Sequence, residues 1–230
     1  MAAELGIPPS PRGIPAPDYW TAAKRRLRVA DPTLGAIIAG HPRVALASRG
    51  DGFLTLARSI VGQQISVKAA DSVWQRLCLR CPELGAAEAA ASLLRRRATT
   101  LRACGLSDRK VEYLRDLARH FSDGRIDAAE MAAWDDEAVI RRLTEIRGIG
   151  RWTAEMFLIF NLLRPDVLPL DDLGLLKAVG MHYFPGETAA DLLRGAGREK
   201  VAQLGRRWAP YRSVATWYLW RSLDPVPVEY

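Results

Sequence analysis

The chain has 230 residues, of which 49% are hydrophobic and 26% charged, and its 33 Lys and Arg against 26 Asp and Glu leave a net charge of +7. That length and apolar content suffice for one large domain or two lobes, so the sequence excludes a fold that depends on disulfides or metal for its core. A sequence pI near 9.7 favours a polyanionic partner, and with no apolar run near the ~18 residues of a membrane span and no secretory segment, the chain reads as cytoplasmic with no membrane partner.

Residues 1–17 hold Pro8, Pro9, Pro11, Pro15 and Pro17 with little to bury, and read as a flexible tail. A helix through Tyr19, Trp20, Ala23 and Leu27 follows, then a short one from Asp31 to Ala39 with Pro32 in its first turn. From Gly52 the apolar spacing becomes strongly helical through Phe53, Leu56, Ala57, Ile60 and Val61. It breaks at Gly62-Gln63-Gln64, a loop expected to expose both amides, and resumes behind Ser66, a candidate N-cap. Cys78 and Cys81 form a lone C-x2-C with Cys104 apart, so the sequence has no four-ligand set for zinc or an iron–sulfur cluster and the three read as core residues. Further helices are expected at 86–94, at 107–121 behind Ser107, and at 135–143. No strand pattern of useful length occurs, and the class is all-α.

The centre of the chain is LTEIRGIGRWTAE, residues 143–155, which reads as a helix end, a tight turn and a new helix. Gly148 and Gly150 are expected to take positive φ on either side of an inward Ile149. The helix that follows is apolar almost all round from Trp152 to Leu163 and should be buried. Such a turn leaves the backbone N–H groups of Gly148, Gly150 and the next helical turn aimed one way, which makes an anion site. From the turn alone, a plain helix-to-helix connector with a glycine C-cap is the preferred reading.

After Pro165 and Pro169 comes Asp171-Asp172 ahead of Leu173, Leu175, Leu176 and Val179, and one of the two carboxylates should cap that helix. A carboxylate beside the positive end of a helix is favoured as the anion, which suits a reaction that develops positive charge. The remaining helices are expected at 188–193, 199–208 and 210–223. From Arg194 to Arg212 six basic residues face one acid, Glu199, and read either as a solvated face or as phosphate contacts.

Five segments in order, GQQIS at 62–66, GLSDRK at 105–110, GIGRWTAE at 148–155, LPLDD at 168–172 followed by Lys177, and RWAPYRS at 207–213 running on to Trp220, resemble the helix-hairpin-helix DNA glycosylases and, within them, the 3-methyladenine DNA glycosylase II branch. The resemblance covers Phe53 to about Trp220. It implies an all-α, two-lobed fold with the active cleft between the lobes: a middle lobe at 49–165 ending in the hairpin, and an N/C-terminal lobe of 18–48 plus 166–230. It implies that Asp172 is the catalytic aspartate, that Gln64 enters the space left by a flipped nucleotide, and that Trp152, Trp220 and Met156 line the base pocket. Gly148, Ile149 and Gly150, with Arg147 and Arg151, would hold DNA phosphate, with a monovalent cation at the hairpin backbone and no other cofactor.

Arg147 departs from the proline of many relatives, and Met156 from an aromatic wall. Bifunctional relatives carry a lysine where Trp152 stands, so the implied activity is monofunctional: a monomeric enzyme that excises alkylated purines from double-stranded DNA and leaves an abasic site. Two alternatives stay open, a glycosylase of the same fold for neutral bases such as uracil or hypoxanthine, and a helix-hairpin-helix module that binds DNA without chemistry.

Overall fold

Most helix starts in this chain are set by a short polar side chain that takes one of the first free amides. Asp31, Asp51, Ser66, Ser107, Asp135 and Asp172 each accept from the backbone N–H three residues on. The computed structural model describes residues 16–42, 45, 46, 48, 50–85 and 88–223. Residues 1–15 of the expected tail and residues 86 and 87 of an expected helix lie outside the described residues.

Among the described residues the helices are α1 (Trp20–Ala30), α2 (Pro32–Gly40), α3 (Gly52–Gly62), α4 (Val67–Arg80), α5 (Ala89–Arg95), α6 (Ala98–Arg102), α7 (Asp108–Ser122), α8 (Ala128–Met131), α9 (Asp136–Thr144), α10 (Arg151–Phe160), α11 (Leu173–Tyr183), α12 (Ala189–Leu192), α13 (Gly195–Arg206) and α14 (Arg212–Leu223), with a 3-10 turn at Pro82–Gly85. The described residues contain no strand, and the chain adopts the all-α class read from its sequence. None of these helices is long and apolar enough to cross a membrane. The helix expected at 199–208 instead starts at Gly195, because Gly195 and Gly197 are weak helix formers that hide the start. Helices α6 and α8 are too short to show a helical period.

The described residues form two compact units, 50–162 and 16–48 with 163–223. In the first, amphipathic α7 buries Val111, Leu114, Leu117 and Ala118 and packs on α3 and α5, while α10 packs on α3 and α9. Cys81 and Cys104 lie in this core and Cys78 at its edge.

The second unit is built on α14, which is buried from Ser213 to Arg221 and packs on α1, α2 and α11. Trp20 of α1 meets Trp217 edge-on and stacks on Tyr218, so aromatic area closes this core. Beside it Asp31, 3% exposed, accepts from Leu34 N at 3.0 Å, Trp208 Nε1 at 2.8 Å and Tyr183 Oη at 2.9 Å. Burial, then Asp31, pushes the Tyr183 hydroxyl pKa up and keeps it a donor.

Asp31→Ala would leave three donors without their acceptor in a closed core, each costing ~1–3 kcal/mol. The variant is expected to lose ~3 kcal/mol or more in urea unfolding; a loss below ~1 kcal/mol would show that the network contributes little.

Candidate nucleic-acid interface and carboxylate site

The hairpin turn between α9 and α10 differs from the sequence expectation at one glycine. Gly148 has φ +83, but Gly150 has φ −95 and is the N-cap of α10. Only Gly148 therefore needs glycine for its backbone. A Cβ on Gly148 would lie 2.2 Å from Tyr113 Cδ2, so that side of the turn faces the protein, whereas a Cβ on Gly150 would meet nothing within 4 Å. Ile149 is 4% exposed and its N–H donates to Ile146 O at 3.1 Å. The N–H groups of Gly150 and Arg151 have no acceptor among the described residues. They sit at the positive end of a ten-residue helix, and this is the part of the turn suited to an anion.

Helix α7 holds the turn from behind. Tyr113 lies against Gly148, and Asp116, one turn further along the same face, accepts from Arg147 N at 2.9 Å. A proline at 147 could not make that bond, whereas any residue with a backbone N–H could. Its side chain is exposed. One turn earlier, Lys110 Nζ donates to Val61 O at 2.7 Å in the last turn of α3, and burial lowers the lysine pKa.

The Gln63-Gln64 loop is fixed to the same turn. The sequence treats both amides as exposed, but Gln63 is half-buried and its Nε2 donates to Gly148 O at 2.8 Å. Gln64 is exposed at φ +59, a conformation rare outside glycine and costing ~1 kcal/mol or more. Ile65 beside it is 39% exposed. Ser66 then caps α4 through Ala69 N.

Arg151, a candidate phosphate ligand, is engaged by carboxylates. It forks onto Glu137 and reaches Glu155 Oε1 with its Nε at 3.0 Å. Those hydrogen bonds raise the arginine pKa and lower that of Glu137. Trp152 is 41% exposed, and Met156 lies one turn on along the same helix face, half-buried.

In the other unit Asp172, not Asp171, caps α11. Its Oδ1 accepts from Leu175 N at 2.6 Å and from the indole Nε1 of Trp220 at 2.7 Å, and the residue is 7% exposed. Trp220 is equally buried. A Cβ on Gly174 would stand 3.1 Å from Asp172 Oδ1 and 3.1 Å from Trp220 Cδ1, so a glycine there leaves room for the carboxylate–indole contact. Asp171 is exposed and pairs with Arg198.

Sequence reasoning missed Gln63, Tyr113, Asp116 and Gly174. The spacing of Lys110, Tyr113 and Asp116 along one face of an otherwise amphipathic helix was the available signal for α7; nothing local marks Gly174.

The groups suited to a metal are few. The described residues contain no cluster of three His, Cys, Asp or Glu side chains that could hold one. A cation at the hairpin would depend on backbone carbonyls; those of Ile146 and Gly148 each accept one hydrogen bond and keep a second lone pair.

The profile described as HhH-GPD superfamily base excision DNA repair protein matches residues 57–203. A putative DNA-3-methyladenine glycosylase of Bacillus subtilis is 36% identical over 124 residues, 54% of this chain but 41% of that protein, so the chain spans less than half of that relative's length. The crystal structure of a Bacillus halodurans DNA-3-methyladenine glycosidase superposes with a TM-score of 0.76 at 36% identity, covering 88% of this chain and 89% of that one. A Schizosaccharomyces pombe 3-methyladenine DNA glycosylase in complex with abasic DNA superposes with a TM-score of 0.70 at 29% identity, covering 87% and 96%.

The two hairpin glycines should separate in stability. Gly148→Ala adds a left-handed alanine and a clash with Tyr113, a cost of about 2 to 4 kcal/mol. Gly150→Ala alters only an N-cap, at most about 1 kcal/mol. Urea unfolding of both variants checks this; equal losses would contradict the asymmetric turn.

Proposed function

The chain belongs to the HhH-GPD superfamily of base excision DNA repair proteins, and from that premise we propose that it is a monofunctional DNA glycosylase for alkylated purines of the 3-methyladenine and 7-methylguanine type. The observation that carries this reading is Asp172, a carboxylate 7% exposed and held through one oxygen by the Leu175 amide and the Trp220 indole. A neutral Asn would serve the cap as well, and in a module that only binds DNA an anion at this place would repel the backbone.

A base cannot be attacked inside the duplex, and turning it out costs a few kcal/mol. Gln64, exposed on a strained backbone between Gln63 and Ser66, is the residue proposed to fill the gap. The Gly150 and Arg151 amides are proposed to hold a phosphate, with the exposed Arg147 adding charge. A monovalent cation at the hairpin carbonyls would add to the positive field there. Arg151, engaged by Glu137 and Glu155, serves through its backbone amide more than its side chain.

Alkylated purines carry positive charge, which an exposed indole such as Trp152 stabilises by stacking, with Met156 beside it. As the bond from C1′ to the purine nitrogen breaks, its electron pair leaves with the base and positive charge develops on the sugar. Asp172 stabilises that charge. Water then adds to C1′ and loses a proton, giving the free base and an abasic site. An indole at 152 offers no amine to attack the sugar, so strand cleavage through a Schiff base is not expected.

Trp220, assigned to the base pocket by the resemblance, gains a second part from its bond to Asp172: it aims the carboxylate. Trp220→Phe keeps the ring and removes the N–H. Losing a hydrogen bond to a charged group, ~1.5–3 kcal/mol, should slow excision by about tenfold or more on charged and neutral lesions alike; a loss confined to charged lesions would assign Trp220 to stacking alone.

The function is tested with duplexes bearing 7-methylguanine, hypoxanthine, uracil or no lesion. The expected result is release of the charged base, an abasic site cut only by alkali, and no borohydride-trapped adduct. Release of no base would favour a binding module, release of neutral bases alone would favour the neutral-base enzyme, and a trapped adduct would overturn monofunctional chemistry.

A further inference from the structure

The most basic stretch of the chain, Arg194 to Arg212, takes no part in the chemistry assigned to Asp172. Much of its charge is matched: Arg198 pairs with Asp171, Lys200 with Glu187, Arg206 with Glu199, and Arg212 with Asp166. Arg194 and Arg207 form no ion pair among the described residues.

The two differ in position. Arg194 borders an open groove of about 610 Å³ whose other walls are Asp171, Leu173, Leu193, Gly195 and Arg198; Arg207 does not. Leu173, 61% exposed, directly follows Asp172 in the chain. Asp171 would repel an anion, but Arg198 Nη1 sits 2.5 Å from its Oδ1 and 3.2 Å from Leu170 O, which neutralises it and leaves further guanidinium N–H groups for another acceptor. The groove therefore has an apolar floor and a cationic rim.

A DNA strand has matching chemistry, with deoxyribose carbons between phosphates and one phosphate per ~3.4 Å of axis. We propose that this groove binds the sugar–phosphate backbone beside the nucleotide presented to Asp172, with Leu173 against a deoxyribose and Arg194 on a phosphate; the proposal rests on the glycosylase reading for the identity of the polyanion. The contact is independent of base sequence, so it adds to affinity everywhere and not to lesion choice.

The test measures affinity for an undamaged duplex by fluorescence anisotropy at several salt concentrations, using the full chain. Freeing one phosphate from its cationic partner lowers the slope of log K against log salt by about 0.9. Arg194→Gln is expected to show a drop of about that size, Arg194→Lys to keep the wild-type slope, and Arg207→Gln, which changes charge equally away from the groove, to keep it as well. A wild-type slope in Arg194→Gln, with melting unchanged, would overturn the groove; so would an equal drop in Arg207→Gln, which would show only a diffuse charge effect. A lower slope in Arg194→Gln without base release by the wild type keeps the groove and removes the glycosylase reading, whereas base release with an unaltered slope does the reverse.

Discussion

The left-handed turn at Gly148, closed against the ring of Tyr113, is the constraint on which the proposed DNA-binding part of residues 50–162 depends. Once that turn is made, its carbonyl is available to Gln63 and the preceding amide to Asp116. The two bonds tie an exposed loop and amphipathic α7 to one turn. The strain at Gln64 fits the same picture, because a non-glycine residue at φ +59 persists only where its neighbours are held on both sides. Lys110 supplies one of those holds through Val61. Rigidity of this kind is what an amide anion site needs, since donors that must reorganise to meet a phosphate give back part of what the contact gains.

Asp172 carries two duties in the second unit. As N-cap it satisfies an amide at the start of α11, and that helix in turn packs on α14, which carries Trp220 back to the same carboxylate. The stability of the unit and the aim of the carboxylate are therefore one arrangement. The absence of a side chain at Gly174 belongs to it as well, because a Cβ there would press on both partners. A carboxylate positioned by cap and indole together has little freedom to reorganise during a reaction, which is the property that makes a fixed charge effective against one developing on a sugar.

Much of this was legible in the sequence wherever the signal was local. Ser66, Ser107 and Asp135 mark helix starts by residue type, and the all-α class follows from the apolar period. That one of Asp171 and Asp172 caps a helix was readable from their place before Leu173; which one does so was not, and the structure gives the cap to Asp172. Long-range partners were not legible. Nothing near residue 148 announces Tyr113, and the spacing of two glycines cannot say that one needs positive φ and the other needs open space. The ion pairs of the basic stretch were hidden in the same way, because the carboxylates Asp171, Glu187 and Asp166 that pair with it lie outside it in sequence.

The central claim is that the charge of Asp172, and not merely its cap, drives base release. Asn at this position keeps an oxygen to accept from Leu175 N and Trp220 Nε1 while removing the anion, so single-turnover excision of 7-methylguanine by Asp172→Asn, measured with its duplex affinity, separates the two. The account predicts near-normal affinity and a rate lower by roughly 10² or more. A rate within about threefold of wild type, or an equal loss in Asp171→Asn, would contradict it.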